Sequence, residues 1–216
     1  VFFIDLDRKP VYEQLKQNYP QAVFTEHTAP NGNVALFEVY LTRADIQSIQ
    51  GMDVKYYSTP EMEGGAFRIS TINLLSMDWT VDNTGTLPFF ADYTGTLYAH
   101  RYGVYQFRIE SPAGLEFYID GKLALQGEGG TTSGSVELAK GLHAIEIIAE
   151  GEYGTFEVNW QPPEEELAVI PAANLYLPTV AVHSLLGSYY ANANWEGSPV
   201  LKQIDPFIHY YFHNPP

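Results

Sequence analysis

The sequence predicts a mainly β protein, an antiparallel β-sandwich or barrel preceded by a small α/β segment, and three observations carry that expectation. With 16 Tyr, 12 Phe and 3 Trp in 216 residues, the composition favours side chains that pack on a pleated, half-buried surface. The 18 Gly and 14 Pro supply many turns. From residue 51 to residue 163, short alternating stretches are broken by turn signals at roughly 8–12-residue intervals.

The first fifty residues read differently. Residues 1–5 form a short apolar run of strand type. Residues 11–18 place Val11, Leu15 and Asn18 on one helical side, and Pro20 ends the helix. Two strands follow over 22–28 and 34–41, joined by the hairpin signal Pro30-Asn31-Gly32-Asn33. Thr42 then reads as an N-cap with Asp45 completing an acidic capping box, and Gly51 as a left-handed stop. So short a segment buries little surface, so it is expected either to pack on its neighbour or to be the tail of an upstream domain. In the β region, strands are expected over 67–74, 96–100, 103–110, 115–119, 135–138, 143–149 and 155–160. Asp120-Gly121 between apolar pairs is a type I′ turn signal, because both central residues need positive φ. Pro162, Pro163 and Glu164-Glu165-Glu166 mark a boundary, and residues 164–186 read as an extended, Pro-containing connector lying against a domain surface.

Charge and composition exclude several functions. The net charge of −15, from 11 basic and 26 acidic residues, leaves no basic cluster to grip phosphate, so nucleic acid is excluded as the main partner. With no cysteine there is no disulfide framework, thiolate zinc site or cysteine nucleophile. The chain starts at Val1 without a basic, apolar leader, which reads as an excised or processed piece.

The tail repeats the start of the β region. Tyr189-Tyr190 and Glu196-Gly197 match Tyr56-Tyr57 and Glu63-Gly64 at one fixed offset, which also sets Ile208 against Leu75 and Phe212 against Trp79. Residues 187–216 are therefore expected to be the truncated start of a second β-sandwich module.

Residues 51–163 resemble a known family. The likeness runs from Val54-Lys55-Tyr56-Tyr57 and Glu63-Gly64 through residues 90–98 and Gly103-Val104-Tyr105-Gln106-Phe107 to Tyr118-Ile119-Asp120-Gly121. It continues through residues 138–145 and closes on Val158-Asn159-Trp160-Gln161-Pro162-Pro163. This order of motifs is similar to the PA-fourteen (protective antigen type) β-sandwich module of adhesins, glycosidases and cell-surface proteins. Sugar-binding members of that family carry Ser-Asp-Asp-Gly before the Ile-Asp-Gly hairpin, and the resemblance implies that the paired aspartates hold a calcium that binds sugar hydroxyls. Here the stretch is Ser111-Pro112-Ala113-Gly114. Pro and Ala side chains offer calcium no oxygen, so a calcium site of that kind is not expected. Residues 11–20, Gly32 and Glu38-Val39-Tyr40 are similar, more weakly, to the segment after the last membrane span of some bacterial membrane glycosyltransferases.

The enzyme motifs His-Glu-x-x-His, Gly-x-Ser-x-Gly and the phosphate loop are absent, and residues 127–134 lack the Gly-Lys-Ser/Thr ending that grips phosphate. That Gly-rich stretch reads as a flexible hairpin loop. His209 and His213 would share a helix face at metal-ligand spacing, but the repeat puts them on a strand, about 13 Å apart, so no metal is assigned. The Glu164-Glu165-Glu166 run reads as a solvated linker rather than a cation site or acid–base pair. Asp78, Trp79, Asp82, Asn83, Asp92 and Tyr93 form the densest mixture of carboxylate, amide and aromatic groups in the β region. Sugar rings stack on exposed aromatic faces while Asp and Asn bond their hydroxyls, so this is the expected ligand surface. The competing reading makes Trp79 and Tyr93 core residues. The expectation is thus a non-catalytic, extracytoplasmic accessory module facing carbohydrate, with no cofactor and with residues 187–216 free to pack on an adjacent repeat or neighbouring chain. The alternatives are the extracytoplasmic C-terminal part of a membrane glycosyltransferase that positions acceptor glycan, and a structural spacer or self-association module.

Overall fold

In the computed structural model, which describes residues 2–81, 88–178 and 185–205, the chain divides between Gln50 and Gly51 into two units. The first contains β1 (Phe2–Asp5), a 3-10 turn, α1 (Lys9–Asn18), β2 (Val23–Thr28), β3 (Val34–Tyr40) and α2 (Arg43–Gln47). Its strands form an antiparallel sheet in the order β1-β3-β2. Pro10 sits in the first turn of α1, where a missing N–H costs nothing. The helix buries Tyr12 rather than the expected Val11, which is exposed. Tyr12 stacks on Phe37 at 4.3 Å and meets Phe24 edge-on at 5.5 Å, so the largest side chain takes the buried stripe and Leu15 and Lys16 follow at i+3 and i+4. α2 opens on a complete capping box, with the Thr42 hydroxyl accepting from the Asp45 N–H and the Asp45 carboxylate accepting from the Thr42 N–H.

The second unit is an antiparallel sandwich. Its strands are β4 (Met52–Tyr57), β5 (Arg68–Ile72), β6 (Ser76–Asp78), β7 (Phe89–Ala99), β8 (Gly103–Ser111), β9 (Leu115–Ile119), β10 (Lys122–Gly127), β11 (Gly130–Leu138), β12 (Gly141–Gly151) and β13 (Thr155–Gln161). The larger sheet runs β10-β9-β12-β7-β4-β5, and the smaller runs β11-β8-β13 with β6 also on β13. Strict alternation drives the burial: Phe89, Ala91 and Tyr93 of β7, Tyr105, Phe107 and Ile109 of β8, and Ile145, Ile147 and Ala149 of β12 all face one core. Asp120 and Gly121 have φ of 51° and 72°, the left-handed pair that the type I′ turn requires. The Gly-rich stretch is largely strand and not loop: β11 begins at Gly130 and pairs with β8 from Gly130↔Ser111 to Leu138↔Gly103.

Past β13 the chain stays on the sandwich. β14 (Ala168–Val169) pairs with β13, and β15 (Leu175–Tyr176) pairs with β7. The three linker glutamates are exposed, as a solvated run should be, and two of them also make surface ion pairs. Glu164 bonds Arg101 at 2.7 Å, and Glu165 bonds His100 at 2.7 Å. Beyond residue 184, β16 (Leu185–Tyr189) and β17 (Leu201–Asp205) form a hairpin.

Candidate functional site

The structure separates the six residues singled out in the sequence. Asp82 and Asn83 lie outside the described residues. Asp78 ends β6 in the smaller sheet, exposed, with its carboxylate accepting from the Thr80 N–H at 2.9 Å. Asp92 lies on the outer face of the larger sheet, beside Lys55 in the β4–β7 register. The aromatic pair is core: Trp79 is 3% exposed and Tyr93 0%. Both rings stack on Phe156, at 4.9 Å and 5.3 Å, and Trp79 meets Phe89 edge-on. Neither ring presents a face to a ligand, so the core reading holds for both.

Another concavity lies on the outer face of the larger sheet. A cleft of about 500 Å³ is lined by Glu61 and Met62 from the β4–β5 loop, Phe90 of β7, Glu116 of β9, Gln126 and Glu128 around the β10–β11 turn, and Ile148 and Glu150 of β12. Period-2 alternation turns Phe90, Glu116, Ile148 and Glu150 outward while Phe89, Leu115, Phe117, Ile147 and Ala149 enter the core. The register then gathers them: Glu150 stands across from Phe90, and Ile148 lies between Asp92 and Glu116. Glu116 is held in place, accepting from the Tyr118 hydroxyl at 2.5 Å and from the Gln126 amide at 3.4 Å. Its bond raises the Tyr118 hydroxyl above the usual phenol range. The Glu150 N–H donates to the Gly114 carbonyl and fixes the rim.

Carboxylates crowd this face. Burial raises Asp92, with Lys55 partly opposing it, and one of its oxygens has no hydrogen-bond partner among the described residues. Burial raises Glu146 too, reinforced by the charges of Asp92 and Glu116. A second concavity, of about 440 Å³, continues along the sheet past Tyr118, Glu146 and Thr94. Chemically the surface offers hydrogen-bond acceptors around a half-buried apolar floor, suited to a neutral polyhydroxyl ligand. It repels anions.

The loop implied for calcium does not fit that ion. Ser111 and Ala113 are buried, Pro112 packs against Gly129 and Gly154, and neither 112 nor 113 carries a carboxylate. Among the described residues, no group of three or more His, Asp or Glu side chains is placed to hold a metal. His209 and His213 lie outside those residues. No described helix is long and apolar enough to cross a membrane.

The cleft was not found from the sequence because it is assembled by register. Alternation places Glu146, Ile148 and Glu150 on one face, yet nothing local says that β9 and β7 flank β12. Strand order was the missing signal.

No family model matches the chain, and neither does any curated protein. Solved structures do. An anti-sigma factor domain-containing protein from Clostridium clariflavum is 17% identical, with a TM-score of 0.54 over 72% of this chain and 59% of that one. A second anti-sigma factor domain-containing protein is 21% identical, also at 0.54, over 60% of this chain and 48% of its own. The PA14 sugar-binding domain from RTX adhesin is 16% identical, with a TM-score of 0.50 over 60% of this chain and 99% of its own length. This chain spans about half the length of the two anti-sigma factor proteins. At these identities the likeness is one of fold, and the fold of the sandwich is of the PA14 type.

Proposed function

We propose that this PA14-type sandwich is a non-catalytic carbohydrate-binding module, displayed outside the cytoplasm, that seats a glycan in the cleft between Glu61 and Glu150 without calcium in the loop at 111–114. The cleft carries the reading: Phe90 and Ile148 offer an apolar floor to a sugar face, and Glu61, Glu116, Glu128, Glu150 and Gln126 stand around it as partners for hydroxyls. The sugar-binding description of the RTX adhesin domain, which shares the fold, supports the same class of ligand. The four carboxylates select for neutral or amino sugars and against uronic, sialic or sulfated ones.

Glycan-array binding followed by calorimetry, with and without a chelator, tests this. Neutral or amino glycans are expected to bind equally well in chelator. Phe90→Ala should weaken binding about tenfold, the equivalent of losing one aromatic contact of roughly 1.4 kcal/mol. An array silent with and without calcium, or binding that disappears in chelator, overturns the proposal.

A further inference from the structure

Two hollows share the outer face of the larger sheet, and the strand register makes one floor of them. Outward positions fall in rows across β7, β12 and β9: Phe90 with Glu150, Ile148 with Glu116, Thr94 with Glu146 and Tyr118, and Thr96 with Ala144. The first two rows line the cleft of about 500 Å³, and the last two the concavity of about 440 Å³. At the boundary between the second and third rows, alternation turns Tyr93, Ile147 and Phe117 into the core, so no outward position on these strands separates the hollows. The floor runs along the strands, and the stretch of β7 from Phe90 to Thr96 spans roughly 20 Å.

One side-chain bond spans the boundary. Tyr118 lines the second hollow and donates its hydroxyl, at 2.5 Å, to Glu116, which lines the first. The bond fixes a half-buried aromatic ring where the hollows meet. A sugar face can lie on that ring as it can on Phe90 in the first hollow. Beyond it, Thr94 and Glu146 offer further partners for hydroxyls, while the small, exposed Ala144 raises no obstacle from the floor. A disaccharide seated in the cleft leaves this second set of groups unused.

We propose that the outer face of the larger sheet is a single groove for a linear oligosaccharide, longer than a disaccharide and free of acidic groups, laid along the strands from Phe90 past Tyr118 to Ala144. The second subsite rests on the reading of the cleft as a sugar site. Glu150, Glu116 and Glu146 follow one another along the groove, so an acidic polymer is repelled over its whole length and not only at one end.

A length series tests this. An array printed with neutral and amino homo-oligosaccharides, from di- to hexasaccharide, identifies the series that binds, and calorimetry then compares its two ends. The hexasaccharide should bind at least tenfold more tightly than the disaccharide, beyond the gain from merely offering more overlapping disaccharide frames. Ala144→Arg lays a long side chain over the second hollow beside Glu146. The position is exposed, and its main chain stays bonded to Asp120 through both the N–H and the carbonyl. This variant should bring the hexasaccharide down to the disaccharide value and leave the disaccharide within twofold, whereas Ala144→Ser should keep the full gain. Phe90→Ala should weaken both lengths. A hexasaccharide that binds no more tightly than the disaccharide overturns the second subsite and leaves the cleft standing as a sugar site. Equal effects of Ala144→Arg on the two lengths overturn it as well. Silence at every length overturns the sugar reading of the cleft together with its extension.

Discussion

Trp79→Ala is expected to destabilise the sandwich by about 3–5 kcal/mol, the range for truncating a large buried aromatic, and to leave glycan affinity unchanged in the fraction that remains folded. The indole forms one end of a stack in which Phe156 lies between Trp79, 4.9 Å away at 10°, and Tyr93, 5.3 Å away at 9°, with Phe89 closing the end edge-on at 5.2 Å. Truncation removes contacts with both Phe156 and Phe89 and opens a cavity at the junction of the two sheets. Without a disulfide, no cross-link offsets that loss. The exposed neighbour Asp78 is the control: Asp78→Ala should cost under about 1 kcal/mol, since it forfeits only a surface bond to the Thr80 N–H. Urea unfolding followed by circular dichroism measures both. If Trp79→Ala unfolds at the wild-type midpoint but abolishes glycan binding, the indole belongs to the ligand surface and not to the core.

The same residues show what a sequence can carry. Alternation identifies β8, β9, β12 and β13 because their inward positions are Tyr, Phe, Ile and Val, and Asp120-Gly121 names its turn because few other pairs tolerate positive φ at both positions. β11 is not legible in the same way. Its first five residues, Gly-Thr-Thr-Ser-Gly, carry no apolar signal and become strand only because β8 offers a full-length ladder. Trp79 and Tyr93 look like ligand-facing aromatics because Asp78 and Asp92 adjoin them in sequence, with Asp82 and Asn83 close by, yet alternation sends Asp92 and Tyr93 to opposite faces of one strand. The cleft lies one level further out. Phe90, Glu116 and Glu150 come from three strands whose adjacency is a property of topology, so only the assembled sheet brings them together.

The second large effect is a pH-dependent loss of stability centred on His143. This side chain is only 4% exposed, yet both ring nitrogens face acceptors, Nδ1 the Asp120 carboxylate at 2.7 Å and Nε2 the Ala139 carbonyl at 2.9 Å. Neither partner can donate, so only the doubly protonated ring satisfies both. Burial pushes its pKa down, but the Asp120 bond, the Ala139 carbonyl and the Asp120 charge together outweigh it, and the folded pKa lies above the ordinary 6.5. A histidine raised on folding contributes its stability fully below the unfolded value and loses it as pH climbs through the folded value. Unfolding free energy should therefore fall as pH rises from about 6.5. Asp120→Asn keeps an acceptor for the Ala144 N–H, which donates to Asp120 at 3.0 Å, but removes the charge. That variant should flatten the pH dependence and bring the His143 ring titration, followed by NMR, back below the wild-type value. Asp120→Ala removes the acceptor as well and should cost about 2–3 kcal/mol near pH 6, where the ring is charged in the wild type. Wild-type stability that rises between pH 6.5 and 8, or an Asp120→Asn profile identical to wild type, would mean that the ring is held neutral and that this corner is fastened by packing alone.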